Sequence, residues 1–184
     1  MKGIIFNMLE QFIIETADID TYEEILDECQ FSTAEPFIGP GTYPDADLMQ
    51  IVGKTVEKLQ IPLPDVLHAF GKWGFAKLAV KVPEWLTQFD HPKPFLMTVE
   101  NIVHLEVRKL YQDAQPPHFT FEDPAPDQLI IHYVSGRHLY DLMDGLIDGV
   151  GEYFSVPIRF ERNITRAKDG CERCTYHLTF ALGE

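Results

Sequence analysis

Two stretches of the chain place groups capable of chemistry at informative spacings. In Tyr133-Val134-Ser135-Gly136-Arg137, a phenol, a hydroxyl and a guanidinium fall at alternate positions near the end of the run QLIIHYVS. In an extended chain every second side chain shares a face, so Tyr133, Ser135 and Arg137 would point the same way over about 13 Å. All three donate hydrogen bonds, and Arg binds carboxylates bidentately, so the run suits a ligand with two nearby carboxylates. A polar strand end facing water accounts for the same spacing. The second stretch is TVENIVHLEVRKLY, where His104 lies beside an apolar stripe of Leu96, Val99, Val103, Val107 and Leu110. A neutral imidazole on a helix edge facing a cavity can give a nitrogen to iron while the helix fixes the ring. A lone histidine is more often a surface or structural residue.

The elements that must position these groups divide the chain into a helical part and an α+β part. Ile4, Ile5, Met8, Leu9, Phe12 and Ile13 repeat with a helical period and predict a helix over 2–16. Thr21 and Glu24 have capping-box spacing and predict a short helix ending near Cys29. FIGPGTYPDA is turn chemistry, and helices are expected at about 46–60 and 63–81, separated by IPLP, then a short one from Pro83 and a longer one at about 95–112. Beyond Pro117, QLIIHYVS, PIRFERNI and CTYHLTFAL alternate and are rich in β-branched and aromatic residues, as strands are. Between them, HLYDLMDGLIDGVGEYF carries Leu139, Leu142, Leu146, Val150 and Tyr153 on one helical face. Its Gly145 and Gly149 would permit close approach of a backbone or a flat ligand. One domain over 1–184 is expected, with a cavity between its two parts as the natural binding site.

Composition narrows the function. A chain of 184 residues can bury roughly 70% of its unfolded surface, enough for a core and a ligand cavity. Fifteen basic against 29 acidic residues give a net charge of −14, which repels nucleic acid and anionic lipid and favours a basic partner surface. The apolar start MKGIIFNMLEQFIIET is interrupted by Asn7, Glu10 and Gln11, with no small-residue cleavage site after it, and no run of about twenty apolar residues exists. A cytoplasmic protein with no membrane span is expected. Three cysteines, Cys29, Cys171 and Cys174, are too few for a disulfide framework. No glycine-rich phosphate loop, nucleophile elbow or paired carboxylates beside a histidine stand out, so no enzyme is expected; Asp113, Glu122 and Asp123 read as solvated loop charges.

MKGIIFN, AFGKW, VHLEVRKLY, PPHF and YVSGR, in this order and at these separations, resemble the H-NOX (haem-nitric oxide/oxygen binding) domains, related to the sensor domain of soluble guanylate cyclase. The resemblance covers essentially the whole chain. It implies an α+β fold, with a helical amino-terminal subdomain (about 1–62) packed on a carboxy-terminal subdomain (about 63–184) carrying an antiparallel sheet, and haem between them. It implies His104 as the proximal iron ligand, Tyr133, Ser135 and Arg137 as the clamp on the haem propionates, and Pro117 as the proline that presses on the haem plane. Covalent attachment would need Cys-x-x-Cys-His, whereas CERC is followed by Thr175, so non-covalent protohaem (haem b) is expected.

Bound dioxygen carries partial negative charge and needs a distal donor, whereas ferrous nitrosyl does not. The oxygen-binding members use a distal Tyr supported by Trp and Asn; those positions resemble Leu142, Leu9 and Gly74 here. Tyr140 is two helical residues, or about 200°, away from Leu142, and Trp73, next to Gly74, is expected in the helical core. The resemblance therefore implies a nitric oxide sensor that excludes oxygen, also open to carbon monoxide, with Ile5, Leu9, Leu142 and Leu146 as its apolar distal wall. NO would weaken the iron bond to the trans histidine, and relaxation of the haem would rotate the subdomains. Family members commonly signal to a histidine kinase or a cyclic-di-nucleotide enzyme, and such an effector is the expected partner. Two alternatives stand beside this reading: a haem-free small-molecule module, and a zinc or redox site at Cys171, Cys174 and His177 with Cys29. A single CxxC is a weak zinc signal, and in a strand Cys174 and His177 would face opposite ways.

Overall fold

Apolar periodicity sets the first half of the molecule. The computed structural model describes residues 1–33, 36–166 and 172–181. Its elements are α1 (Gly3–Thr16), α2 (Ile19–Asp27), α3 (Asp45–Leu59), α4 (Leu63–Lys81), α5 (Pro83–Leu86), α6 (Pro92–Thr98), a π-helical turn (Val99–Val103) and α7 (His104–Leu110). They are followed by β1 (His118–Ala125), β2 (Gln128–Val134), α8 (Tyr140–Phe154), β3 (Ile158–Arg166) and β4 (Glu172–Phe180). The strands form one antiparallel sheet in the order β1-β2-β4-β3. The fold is α+β, as the sequence implied.

Two apolar cores result, and two helices belong to both. Phe6, Leu9, Phe12, Ile13, Ile25 and Ile51 form the first, between α1, α2, α3 and the start of α4. Leu86, Phe95, Leu129, Ile131, Tyr176 and Phe180 build the second against the inner face of the sheet. α4 gives Val66, Leu67 and Phe70 to the first core and Phe75 and Ala79 to the second. α8 does likewise, with Leu142 packed against the first and Met143, Ile147 and Val150 in the second. The two helices cross through glycine: a Cβ on Gly145 would overlap the His68 carbonyl, and one on Gly71 the Leu142 carbonyl. Gly145 thus admits a backbone rather than a ligand, and Gly149 faces Phe75 and Lys72 of the same helix.

Several local expectations are corrected. Asp18, not Thr21, caps α2: its carboxylate accepts the Thr21 N–H at 2.7 Å. Glu24 is bonded instead to Lys58, at 2.8 Å. The helix expected over 95–112 is three pieces, because the π turn at Val99–Val103 inserts a residue and rotates the helix beyond it. Leu110, expected on the buried stripe, is consequently exposed. β1 is a strand that the alternation of apolar residues does not predict. It carries Glu122 and Asp123, which are not loop charges: Glu122 lies 2.6 Å from His132 Nε2, and Asp123 accepts from the buried Lys93 at 2.6 Å. Asp113 is also paired, accepting from Lys2 at 3.0 Å.

The glycine crossing gives a direct test. Gly145→Ala should destabilise the protein by about 1–3 kcal/mol, the usual cost of overpacking. Gly53→Ala, in α3 where an added Cβ meets nothing within 4 Å, should stabilise by about 0.4–1 kcal/mol. Urea denaturation of both variants checks the sign and size of each.

Candidate functional site

The π turn delivers a carboxylate into the molecule. Glu100 is 7% exposed, and both of its oxygens are engaged. His104 Nδ1 lies 3.0 Å from Oε2, which also accepts the Phe119 N–H at 3.1 Å. Arg108 donates to Oε1 at 3.0 Å, and His118 Nδ1 lies 3.1 Å from the same atom. Burial works to raise the Glu100 carboxyl, but these four partners outweigh it and hold it at about 2. For His104 the balance is opposite: burial lowers the imidazole below its ordinary value although Glu100 pulls it up. The ring is therefore neutral at pH 7, the form that binds metal.

The β1–β2 ladder brings this histidine to Tyr133; β2 ends at Val134, so Ser135 lies beyond the strand and Arg137 in the following turn, not along one extended face as the spacing suggested. Phe119 pairs in register with Tyr133, and their rings are 5.7 Å apart, while the His104 ring lies 5.0 Å from Phe119. Pro117, just before β1, contributes its backbone as a further partner of His104. Tyr133 is buried, which pushes its phenol up and keeps it a donor at neutral pH; its side chain is bonded to that of Ser135. The Arg137 N–H donates to Ser135 Oγ at 3.2 Å. A cleft of about 400 Å³ lies between Gln115, Pro116 and His118 on one side and Ser135, Gly136 and Arg137 on the other. His104, Pro117, Tyr133, Ser135 and Arg137 thus belong to one neighbourhood.

Asp45, which sequence reasoning missed, reaches this cluster from the start of α3. Its carboxylate accepts from Arg137 Nε at 2.7 Å and from the Met1 amino group at 2.6 Å, and Arg137 Nη1 donates to the Gln115 carbonyl at 2.5 Å. Burial works upward on Asp45, but the Met1 ammonium and Arg137 outweigh it and lower its carboxyl below the ordinary value. Glu100 was missed as well. Its only signal is a charged residue four before His104, which reads as an ordinary surface pair on a helix.

The four apolar candidates are less concentrated. Leu9 is fully buried in the first core, with Ile5 and Leu142 packed against it, whereas Leu146 packs against the second. A Cβ on Gly74 would sit 3.4 Å from Met8 Cε, so an apolar thioether covers that position. The nearby donors are engaged elsewhere. Trp73 Nε1 donates to Glu15 at 2.8 Å on the rim of the first core. The Tyr140 hydroxyl lies 2.9 Å from His138 Nδ1 in the second core.

The cysteine hypothesis fares differently. Cys171 lies outside the described residues. Cys174 points into the core beside Tyr176, and His177 on the same strand is exposed, so the two face opposite ways. Burial raises the Cys174 thiol, which keeps it protonated. Among the described residues no group of three or more His, Cys, Asp or Glu could hold a metal ion. No described helix is long and apolar enough to cross a membrane.

Comparison with known proteins bears on the whole chain. The family model described as Haem-NO-binding matches residues 2–162. The chain is similar to an H-NOX protein from S. oneidensis solved in the Fe(II)NO ligation state, at 27% identity and a TM-score of 0.87, covering 99% of this chain and 100% of that one. An Fe(II) unliganded H-NOX protein from K. algicida is 23% identical with a TM-score of 0.85, covering 100% of this chain and 98% of that one, a likeness of fold alone. Among curated proteins, soluble guanylate cyclase gcy-32 of Caenorhabditis elegans is 23% identical over 97% of this chain, which spans 26% of that protein's length.

The Asp45–Arg137 contact predicts a pH signature. A carboxyl lowered by folding stabilises fully above its unfolded value, near 3.8, and that contribution disappears as pH falls through the lower folded value. Asp45→Ala should cost about 1 kcal/mol or less near neutrality, the pair being partly exposed. The gap between wild type and variant should close as the pH drops below the ordinary carboxylate range, as read by thermal melts across pH.

Proposed function

Since the chain belongs to the haem-NO-binding (H-NOX) family of haem-based gas sensors, we propose that it senses nitric oxide, excludes oxygen and signals to a separate effector. Haem b, held without a covalent link, would supply a ferrous iron able to bind a diatomic gas. The residues fit that group. His104 is neutral and nearly buried, with Nδ1 already committed to Glu100. Tyr133 is a protonated donor, and Arg137 already accommodates one carboxylate, that of Asp45. A guanidinium has five N–H donors, so Arg137 can serve a second carboxylate as well.

In this reading His104 would hold the iron, Tyr133, Ser135 and Arg137 would bind the propionates, and Pro117 would press on the haem. The division near residue 62 into two subdomains, with the haem between them, belongs to the same proposal. Its support is that the described core residues before position 62 all belong to the first core, while the second begins at Phe75.

Selectivity for NO rests on one observation: the α1–α4–α8 junction offers apolar side chains where an oxygen binder needs a donor. Leu9, Leu142 and Met8 stand there, and Trp73 and Tyr140 have partners elsewhere. Ile5 and Leu146 complete the proposed distal wall. Bound oxygen would lack a hydrogen bond, whereas NO on ferrous iron and CO do not require one. H-NOX structures from Shewanella oneidensis, 27% identical to this chain, have been solved in the Fe(II)NO and Fe(II)CO states.

Sensing here is a population shift, not turnover: the gas must favour one arrangement of His104 and its helix over another. His104 begins α7 and is tied through Glu100 to β1, so a change at its ring would reach both elements. The acidic surface, with a net charge of −14, suits a basic docking face on a histidine kinase or cyclic-di-nucleotide enzyme in the cytoplasm.

Absorption spectra of the reduced protein under nitrogen, air and NO test the reading. NO should shift the Soret band, and air should give slow oxidation without a stable oxygen complex; a stable ferrous–oxygen spectrum contradicts the claim of exclusion. Arg137→Ala should bind haem more weakly, by roughly 10-fold or more for loss of a charged hydrogen-bond partner, with the axial ligation spectrum unchanged. Haem transfer to apomyoglobin measures that loss.

A further inference from the structure

Positions 100, 104 and 108 of an unbroken α-helix drift about 40° at each step, so residue 108 would stand about 80° round the axis from residue 100. The turn at Val99–Val103 is wider, closing one residue later than an α turn, and takes up part of that drift. One carboxylate therefore reaches both neighbours: Glu100 lies 3.0 Å from His104 Nδ1 through one oxygen and 3.0 Å from Arg108 through the other. Donors at the start of β1, His118 Nδ1 and the Phe119 N–H, each at 3.1 Å, hold the same two oxygens from the opposite side. The carboxylate is fixed from two elements. A π turn in a helix commonly marks a functional position, and here it puts a buried anion beside the imidazole.

We propose that Glu100 is the positioning residue of the iron ligand. It accepts the Nδ1–H of His104, leaving the lone pair on Nε2 for iron, and its negative charge makes that nitrogen a stronger donor. The inference rests on the haem reading above. A histidine whose distant N–H is given to a carboxylate binds metal in a fixed tautomer and ring orientation and with raised basicity. Arg108 and the β1 donors keep the acceptor still, so the ring cannot turn without breaking its bond to Glu100. With haem bound, Glu100 would set how strongly His104 donates to the iron it holds.

Resonance Raman spectroscopy of the ferrous holoprotein tests this, because the iron–histidine stretching band reports bond strength rather than folding. Glu100→Gln keeps the shape and loses the charge; the band should move to lower frequency and the haem reduction potential should rise. Glu100→Ala should move the band further and weaken haem binding about 10–100-fold, the usual cost of losing such a partner. Glu106→Gln is the control, since Glu106 pairs with Lys109 at the exposed face of the same helix, and it should leave band and potential at their wild-type values. If Glu100→Ala does not fold, Glu100→Gln alone decides the matter. A band at the wild-type frequency in a folded, haem-loaded Glu100→Gln protein overturns the role of Glu100 while leaving the haem reading intact. Absence of any iron–histidine band in the wild type overturns both.

Discussion

Burying a carboxylate costs several kcal/mol unless donors replace the lost water, and the arrangement around Glu100 answers that constraint. Four donors come from three places: the His104 ring, the Arg108 guanidinium, and the His118 ring and Phe119 N–H at the start of β1. Each is in reach because the helix widens at Val99–Val103 and because β1 begins directly after Pro117. The carboxylate thus fixes the register of a helix against a sheet edge, and it holds the histidine proposed to carry the iron. Phe119 then carries the geometry onward to Tyr133 through the β1–β2 ladder.

The rest of the architecture couples this anchor to the other core. α4 and α8 run through both cores and meet at Gly71 and Gly145, where backbone approaches backbone. Packed elements of this kind move as units, since close-packed interiors do not deform continuously. The Asp45–Arg137 bond ties α3 of the first core to the turn after β2. A molecule built so has few ways to respond to a change at His104, and a two-state response is the natural one.

How much was legible in the sequence varies with how local the cause is. Helix α1 was readable because its apolar residues keep one period over several turns, α3 and α4 because turn residues and prolines bound them, and β2, β3 and β4 because their apolar residues alternate. β1 was not, since HFTFEDPA ends in charges and a proline whose partners, His132 and Lys93, lie elsewhere in the chain. The π turn was also hidden: VENIV continues an apolar stripe in projection, and only the pairing of Glu100 with β1 reveals the extra residue. At the candidate site, the spacing of Tyr133, Ser135 and Arg137 fitted a solvated strand end equally well, and they and His104 stood out as a site only through the family resemblance. Glu100, Asp45 and Met8 did not, because each matters through a residue far off in sequence: Phe119, Arg137 and Gly74.

The central claim is that His104 carries the iron. Chemical rescue tests it most directly: in a His104→Gly variant, the cavity left by the side chain can admit free imidazole. Haem binding should fall in the variant, and ferrous spectra with the wild-type Soret position should return on adding imidazole and fade on its removal. A His104→Gly protein that keeps the wild-type ferrous spectrum without imidazole would contradict the account.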